Sequence, residues 1–204
     1  MTGKWLTVGV LAGLMAGAGA AAETNAPAKG ARGVEAVKKA DGQYRAAMKG
    51  SIYVIDEGRG EPASIGSYSI RIFEGKKTDE DLISFLAGVV RARDGGLSGA
   101  WVSDLDGDGR PEVLVWMQSA GSGSYGVLEA FTFDGKQLTA LPPLPELTKT
   151  QAKGYQGHDG FKVAGGRVVR EFPVYAEKDT NASPTGGQRS ITFELENGAW
   201  KAKE

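Results

Sequence analysis

The chain has 204 residues, with 24 basic and 25 acidic side chains, a formal net charge of -1, and no cysteine. The balanced charge excludes the basic footprint of a nucleic-acid binder. The missing cysteines exclude disulfides, a lipid anchor on an N-terminal cysteine and the usual sulfur-ligated zinc sites, so the fold rests on apolar burial and backbone pairing.

Lys4, an apolar run from Trp5 to about Ala18 and the string AGAAA have the three-part layout of a secretory signal, with cleavage expected after Ala22. The run is rich in Ala and Gly and shorter than the roughly 20 apolar residues of a membrane span, so removal in the periplasm is expected rather than anchoring. The mature chain then carries 23 basic and 25 acidic residues. Residues 23–50 hold only scattered large apolar side chains and read as a flexible linker with marginal helical character. The folded part is expected from Ser51, as a β domain over 51–145 and a β-hairpin extension over 146–204 packed on it.

From Ser51 the dominant period is two. In SYSIRIF, Tyr68, Ile70 and Ile72 share a face. The segment TDEDLISFLAGVV from Thr78 predicts a short helical turn followed by a strand, because its acidic start favours a helix N-terminus and its second half is β-branched. PEVLVWMQ is apolar on both faces, which suits a central strand; YGVLEAFTF and ITFELE alternate again. The pairs in RDGG (93–96), DG (134–135), GG (165–166) and NG (197–198) each predict a hairpin. Many short strands joined by tight turns, with little helix, predict an all-β protein: an antiparallel β-sandwich or barrel.

Three segments carry candidate chemistry. GSGSYG fits the G-x-G-x-x-G fingerprint at Gly121, Gly123 and Gly126, but a dinucleotide site needs a helix after the glycines and here a strand follows, so nucleotide binding is rejected. What remains is a glycine-rich loop between strands, either a bulged turn or a contact surface in which Tyr125 supplies an amphipathic ring. DLDGDGRPE sets Asp104, Asp106, Asp108, the Arg110 carbonyl and Glu112 at positions 1, 3, 5, 7 and 9, oxygen ligands at a spacing that suits calcium. Position 12 is Val115, so the EF-hand pattern fails; a short calcium loop between strands and a plain Asp-Gly turn stay open. His158 stands beside Asp159 without a G-x-S-x-G elbow and reads as a loop or packing residue. Trp101, Trp116 and Trp200 lie in or beside strand patterns and are expected to pack.

Taken in order, EPASIGSYSIRIF, LAGVVRARDG, DLDGDGRPEVLVW and SAGSGSYG resemble the bacterial periplasmic inhibitors of invertebrate-type (i-type) lysozyme, over roughly residues 51–140. The resemblance implies a non-enzymatic antiparallel β-sandwich that plugs a lysozyme cleft, with lysozyme as protein partner and no required cofactor. It implies an inhibitory loop of Ser119, Gly121, Ser122, Gly123, Ser124 and Tyr125, in which Ser-Gly-x-Tyr falls on Ser122 to Tyr125. A lysozyme cleft holds one protonated and one ionised carboxyl, and the Ser122 and Tyr125 hydroxyls can hydrogen-bond to both while Gly121 and Gly123 admit the backbone. The tail beyond residue 140 departs from the family pattern. A calcium-stabilised β-domain that binds an envelope glycan or partner protein is the alternative, and a hydrolase the third.

Overall fold

The computed structural model describes residues 33–76 and 82–203. The expected signal segment and the helical turn over Thr78–Asp81 lie outside the described residues. The described residues form fourteen strands in chain order: β1 (Gly33–Glu35), β2 (Val37–Lys38), β3 (Tyr44–Met48), β4 (Ser51–Glu57), β5 (Ile65–Glu74), β6 (Phe85–Asp94), β7 (Gly96–Ser103), β8 (Glu112–Gln118), β9 (Gly126–Phe133), β10 (Leu138–Ala140), β11 (Gly160–Ala164), β12 (Arg167–Pro173), β13 (Gln188–Glu196) and β14 (Ala199–Lys203). No helix occurs among the described residues.

The strands form three sheets: a first in the order β2-β3-β4-β5-β6, a middle one in the order β1-β7-β8-β9-β10, and a C-terminal one in the order β11-β12-β13-β14. Two cores separate them. In the first, Tyr53, Ile55, Tyr68, Ile70 and Ile72 meet Ala100, Val102, Val113, Val115, Phe131 and Phe133 of the middle sheet. In the second, Trp101, Leu114, Leu128 and Ala130, from the opposite face of that sheet, meet Phe161, Val168, Phe172, Ile191, Phe193 and Leu195. Successive strand residues point to opposite faces, so β8 feeds both cores in alternation. Its two apolar faces are therefore each covered by a sheet, and the fold is a three-layered antiparallel sandwich.

Two expectations are corrected. Residues 33–48 are not linker: β3 pairs with β4 from Tyr44↔Ile55 to Met48↔Ser51, and β1 pairs with β7 from Gly33↔Ser103 to Glu35↔Trp101. The segment looked polar because its buried residues, Ala36, Tyr44, Ala46 and Met48, are mostly small or helix-favouring, and strand pairing overrides that preference. The RDGG turn does not close a hairpin either. It carries the chain from β6 in the first sheet to β7 in the middle one. The buried Arg93 guanidinium ties this crossing down by donating to the carbonyls of Pro62, Ala63, Ser67 and Gly95 at 2.6–3.0 Å. The other three turns close the hairpins β9-β10, β11-β12 and β13-β14.

The tail forms the third layer. Leu141, Leu144 and Leu147 of the proline-rich LPPLPEL pack on the second core, and the Trp200 indole donates to the Pro142 carbonyl at 3.0 Å.

Candidate functional site

The loop SAGSGSY leaves β8 after Gln118 and returns into β9 at Gly126. Its neck is closed by Ser119 N–H donating to the Tyr125 carbonyl and Tyr125 N–H donating to Ser119 Oγ, both at 2.9 Å. Inside, Ser124 N–H donates to the Gly121 carbonyl at 2.9 Å, and Ser124 holds φ 42°, a left-handed conformation that costs a residue with a Cβ about 1 kcal/mol or more. A Cβ on Gly123 would strike the Tyr125 ring, so glycine lets that ring fold back over the loop. Ser122 is exposed, and Tyr125 is 49% exposed. Two hydroxyls thus stand at the surface on a loop bonded into one shape. Five of the six expected loop residues line this turn, and Ser119 is its hinge bond.

The C-terminal layer grips this loop. His158 N–H donates to the Gly123 carbonyl at 2.6 Å, and Asn181 Nδ2 donates to the Ser122 carbonyl at 2.7 Å. At the loop base, Gly126 N–H donates to Asp159 Oδ2 at 3.0 Å. That carboxylate is fully buried: Tyr155 Oη donates to Oδ2 at 2.6 Å and Arg170 Nε donates to Oδ1 at 2.7 Å. Burying both charges is costly, and the network recovers the cost only because every carboxylate oxygen is satisfied. The Arg170 guanidinium also lies over the Tyr155, Phe161 and Phe172 rings at 5.2–5.9 Å, and the Tyr125 ring meets Tyr155 edge-on at 5.8 Å. Burial and the bond to Asp159 push the Tyr155 hydroxyl well above the ordinary tyrosine range.

Close approach of the two parts depends on glycine at Gly157, φ 95°, where a Cβ would collide with the Gly123 carbonyl, and at Gly126, where a Cβ would lie 2.7 Å from Asp159 Cβ. Tyr155, Gly157, His158, Asp159, Arg170 and Asn181 thus belong to the site, and of these the sequence assigns a place only to His158, as a loop or packing residue with Asp159 beside it. Their sequence signals, single polar residues in separate turns, carry no spacing that links them to residues 122–126.

The aspartate loop follows β7. One carboxylate oxygen from each of Asp104, Asp106 and Asp108 falls within 4.8 Å of the others. Protein cations already serve this cluster: Lys49 Nζ donates to Asp104 Oδ2 at 2.6 Å and to the Gly109 carbonyl at 2.7 Å, and Arg110 pairs with Asp108. That pairing holds the Asp108 carboxyl below the usual carboxylate range. Glu112 does not join the three aspartates; it is buried at the start of β8 and accepts Leu105 N–H at 2.8 Å. Desolvation raises its carboxyl to about 7, with Asp106 and Asp108 adding to the rise. The three aspartates together could hold a hard cation; as the chain stands, Lys49 Nζ takes an Asp104 oxygen and the Glu112 carboxylate is turned to the Leu105 N–H.

Among known proteins, the model of a family described as periplasmic lysozyme inhibitor of I-type lysozyme matches residues 15–152. Comparison with curated proteins gives no match. Among solved structures, the crystal structure of the Aeromonas hydrophila periplasmic inhibitor of I-type lysozyme is 37% identical over 52% of this chain and 91% of its own, with a TM-score of 0.46. The same Aeromonas hydrophila inhibitor in complex with Meretrix lusoria lysozyme is 35% identical over 54% of this chain and 80% of that one, with a TM-score of 0.42. The family match takes in the aspartate loop and the whole of SAGSGSY and stops before the layer that grips it: this chain belongs to the family of periplasmic inhibitors of I-type lysozyme.

Proposed function

We propose that this protein protects the cell wall by inhibiting i-type lysozyme, with the loop Ser122-Gly123-Ser124-Tyr125 entering the enzyme's cleft. The observation that carries the reading is the coincidence of family membership with a surface loop on which the Ser-Gly-x-Tyr hydroxyls stand free. Donor hydroxyls suit a cleft that holds one protonated and one ionised carboxyl. The loop's internal bonds limit the ordering cost of binding. In this reading the leader up to Ala22 is removed on export to the periplasm.

The test is lysis of peptidoglycan-bearing cells by i-type, chicken-type and goose-type lysozymes, with and without the mature protein. Suppression of the i-type enzyme is expected. Tyr125→Ala should weaken inhibition by about 30-fold and Ser122→Ala by about 5-fold, the range of truncated interface anchors and of single hydrogen bonds, with melting temperatures unchanged. Full inhibition by the double variant would remove the loop from the mechanism.

Calcium is proposed only as a structural ligand of Asp104, Asp106 and Asp108, with the Arg110 carbonyl and Glu112 completing the set if Lys49 withdraws. Calorimetric heat that vanishes in Asp106→Ala would support it. No heat and no change in melting temperature would retire it.

A further inference from the structure

The inference rests on the inhibitor reading and deepens it. We propose that the C-terminal sheet, which lies wholly beyond the family match, presets the inhibitory loop, and that Asn181 and Asp159 are its positioning residues.

The contacts are placed where a loop is otherwise free to move. Ser122 and Gly123 are adjacent, and their carbonyls each take a donor from a different segment of the C-terminal layer, Asn181 Nδ2 and His158 N–H. The base is fixed a third time at Gly126 by Asp159. Three anchors over five residues leave little backbone freedom between them. The donors are themselves held. Asp179 caps the segment that carries Asn181, accepting Ala176 N–H and Thr185 N–H at 2.7 Å each, and Tyr175 Oη donates to the Asn181 carbonyl at 3.0 Å. His158 Nε2 lies 3.0 Å from Asn181 Oδ1, which orients the amide so that its Nδ2 faces Ser122. Glycine at Gly157 and Gly126 brings the two surfaces within bonding range.

A preset loop binds with an affinity divided by the fraction of molecules in the competent shape. Releasing one anchor lowers that fraction, and the loss falls on the association rate. Losing a direct contact with the enzyme falls mainly on the dissociation rate. The two roles are therefore separable.

The test uses the mature chain with Asn181→Ala, a surface change that leaves both cores intact, and Asp159→Asn as a second variant. Association and dissociation rates with i-type lysozyme are measured beside Tyr125→Ala, and backbone 15N order parameters of Ser122 to Tyr125 are measured in the free protein. Asn181→Ala should slow association about 3- to 10-fold with dissociation nearly unchanged, and should lower the loop's order parameters at an unchanged melting temperature. Wild-type order and association rate in Asn181→Ala would overturn the proposal, as would an effect confined to dissociation. The free-protein measurement stands alone: if the wild type binds no lysozyme, the inhibitor reading fails, while a loosened loop in Asn181→Ala still supports the bracing.

Discussion

Replacing Asp159 with alanine should cost this protein more than any other single polar change in the C-terminal layer. The carboxylate side chain has 0% exposure and its partner Arg170 has 13%. Alanine removes the acceptor for Arg170 Nε, Tyr155 Oη and Gly126 N–H together. Tyr155 keeps its bond from Arg170 Nη2 at 2.8 Å, so its oxygen is not wholly abandoned. The guanidinium loses its carboxylate partner and keeps only that one bond and the faces of the rings around it. Breaking a buried pair on one side costs about 3–5 kcal/mol. With a urea dependence of about 2 kcal/mol per molar, the unfolding midpoint should fall by about 1.5–2.5 M. Urea titration followed by circular dichroism measures this. A double-mutant cycle with Arg170→Met sharpens it: the pair of changes together should be less damaging than the sum of each alone, since the second removes the stranded charge. A loss below about 1 kcal/mol for Asp159→Ala, or strict additivity with Arg170→Met, would show that the ion pair does not hold this layer to the loop.

Gly157→Ala places a methyl against the Gly123 carbonyl at a φ of 95°, so it should destabilise by about 1–3 kcal/mol and weaken lysozyme inhibition far more than the same change at the exposed turn residue Gly187; equal effects on inhibition would refute the close-packing account. Glu112 gives a pH signature. Burial raises its folded-state carboxyl to about 7 from an ordinary 4.5, so the fold favours the protonated form. Its stabilisation is complete below about pH 4.5 and is lost as pH rises through about 7, on the order of 2–3 kcal/mol in all. Glu112→Gln cannot ionise and keeps an acceptor for Leu105 N–H, so in calcium-free buffer its melting temperature relative to wild type should rise between pH 5 and pH 7.5; a constant difference would contradict the burial argument.

Strand alternation carried most of the fold. Tyr68, Ile70 and Ile72, and later Ile191, Phe193 and Leu195, lie where a period of two places them, on the inner faces of β5 and β13. The apolar run in β8 announced a strand covered on both sides, but not by what, because one face is covered by residues of β4 and β5 well before it and the other by residues of β11 to β13 well after it, and no local pattern encodes those distances. β3 escaped notice because Tyr44, Ala46 and Met48 alternate with helix-favouring neighbours, and only pairing with β4 decides between the two. The candidate site was half visible. Ser122 and Tyr125 are legible in a four-residue motif; the grip of Asp159 and Asn181 is not, since each is an ordinary turn residue until the chain folds back.

A middle sheet buried on both faces also sets an order of events. In a chain delivered N-terminus first, Trp101, Leu114, Leu128 and Ala130 are in place before β11 to β14 have arrived to cover them. Until the last strand, with Trp200, has been delivered, that face is an uncovered apolar surface, the kind on which half-finished chains associate with one another. The interval between the two is a window in which export and folding compete with aggregation, and a chain truncated after residue 152 would never leave it.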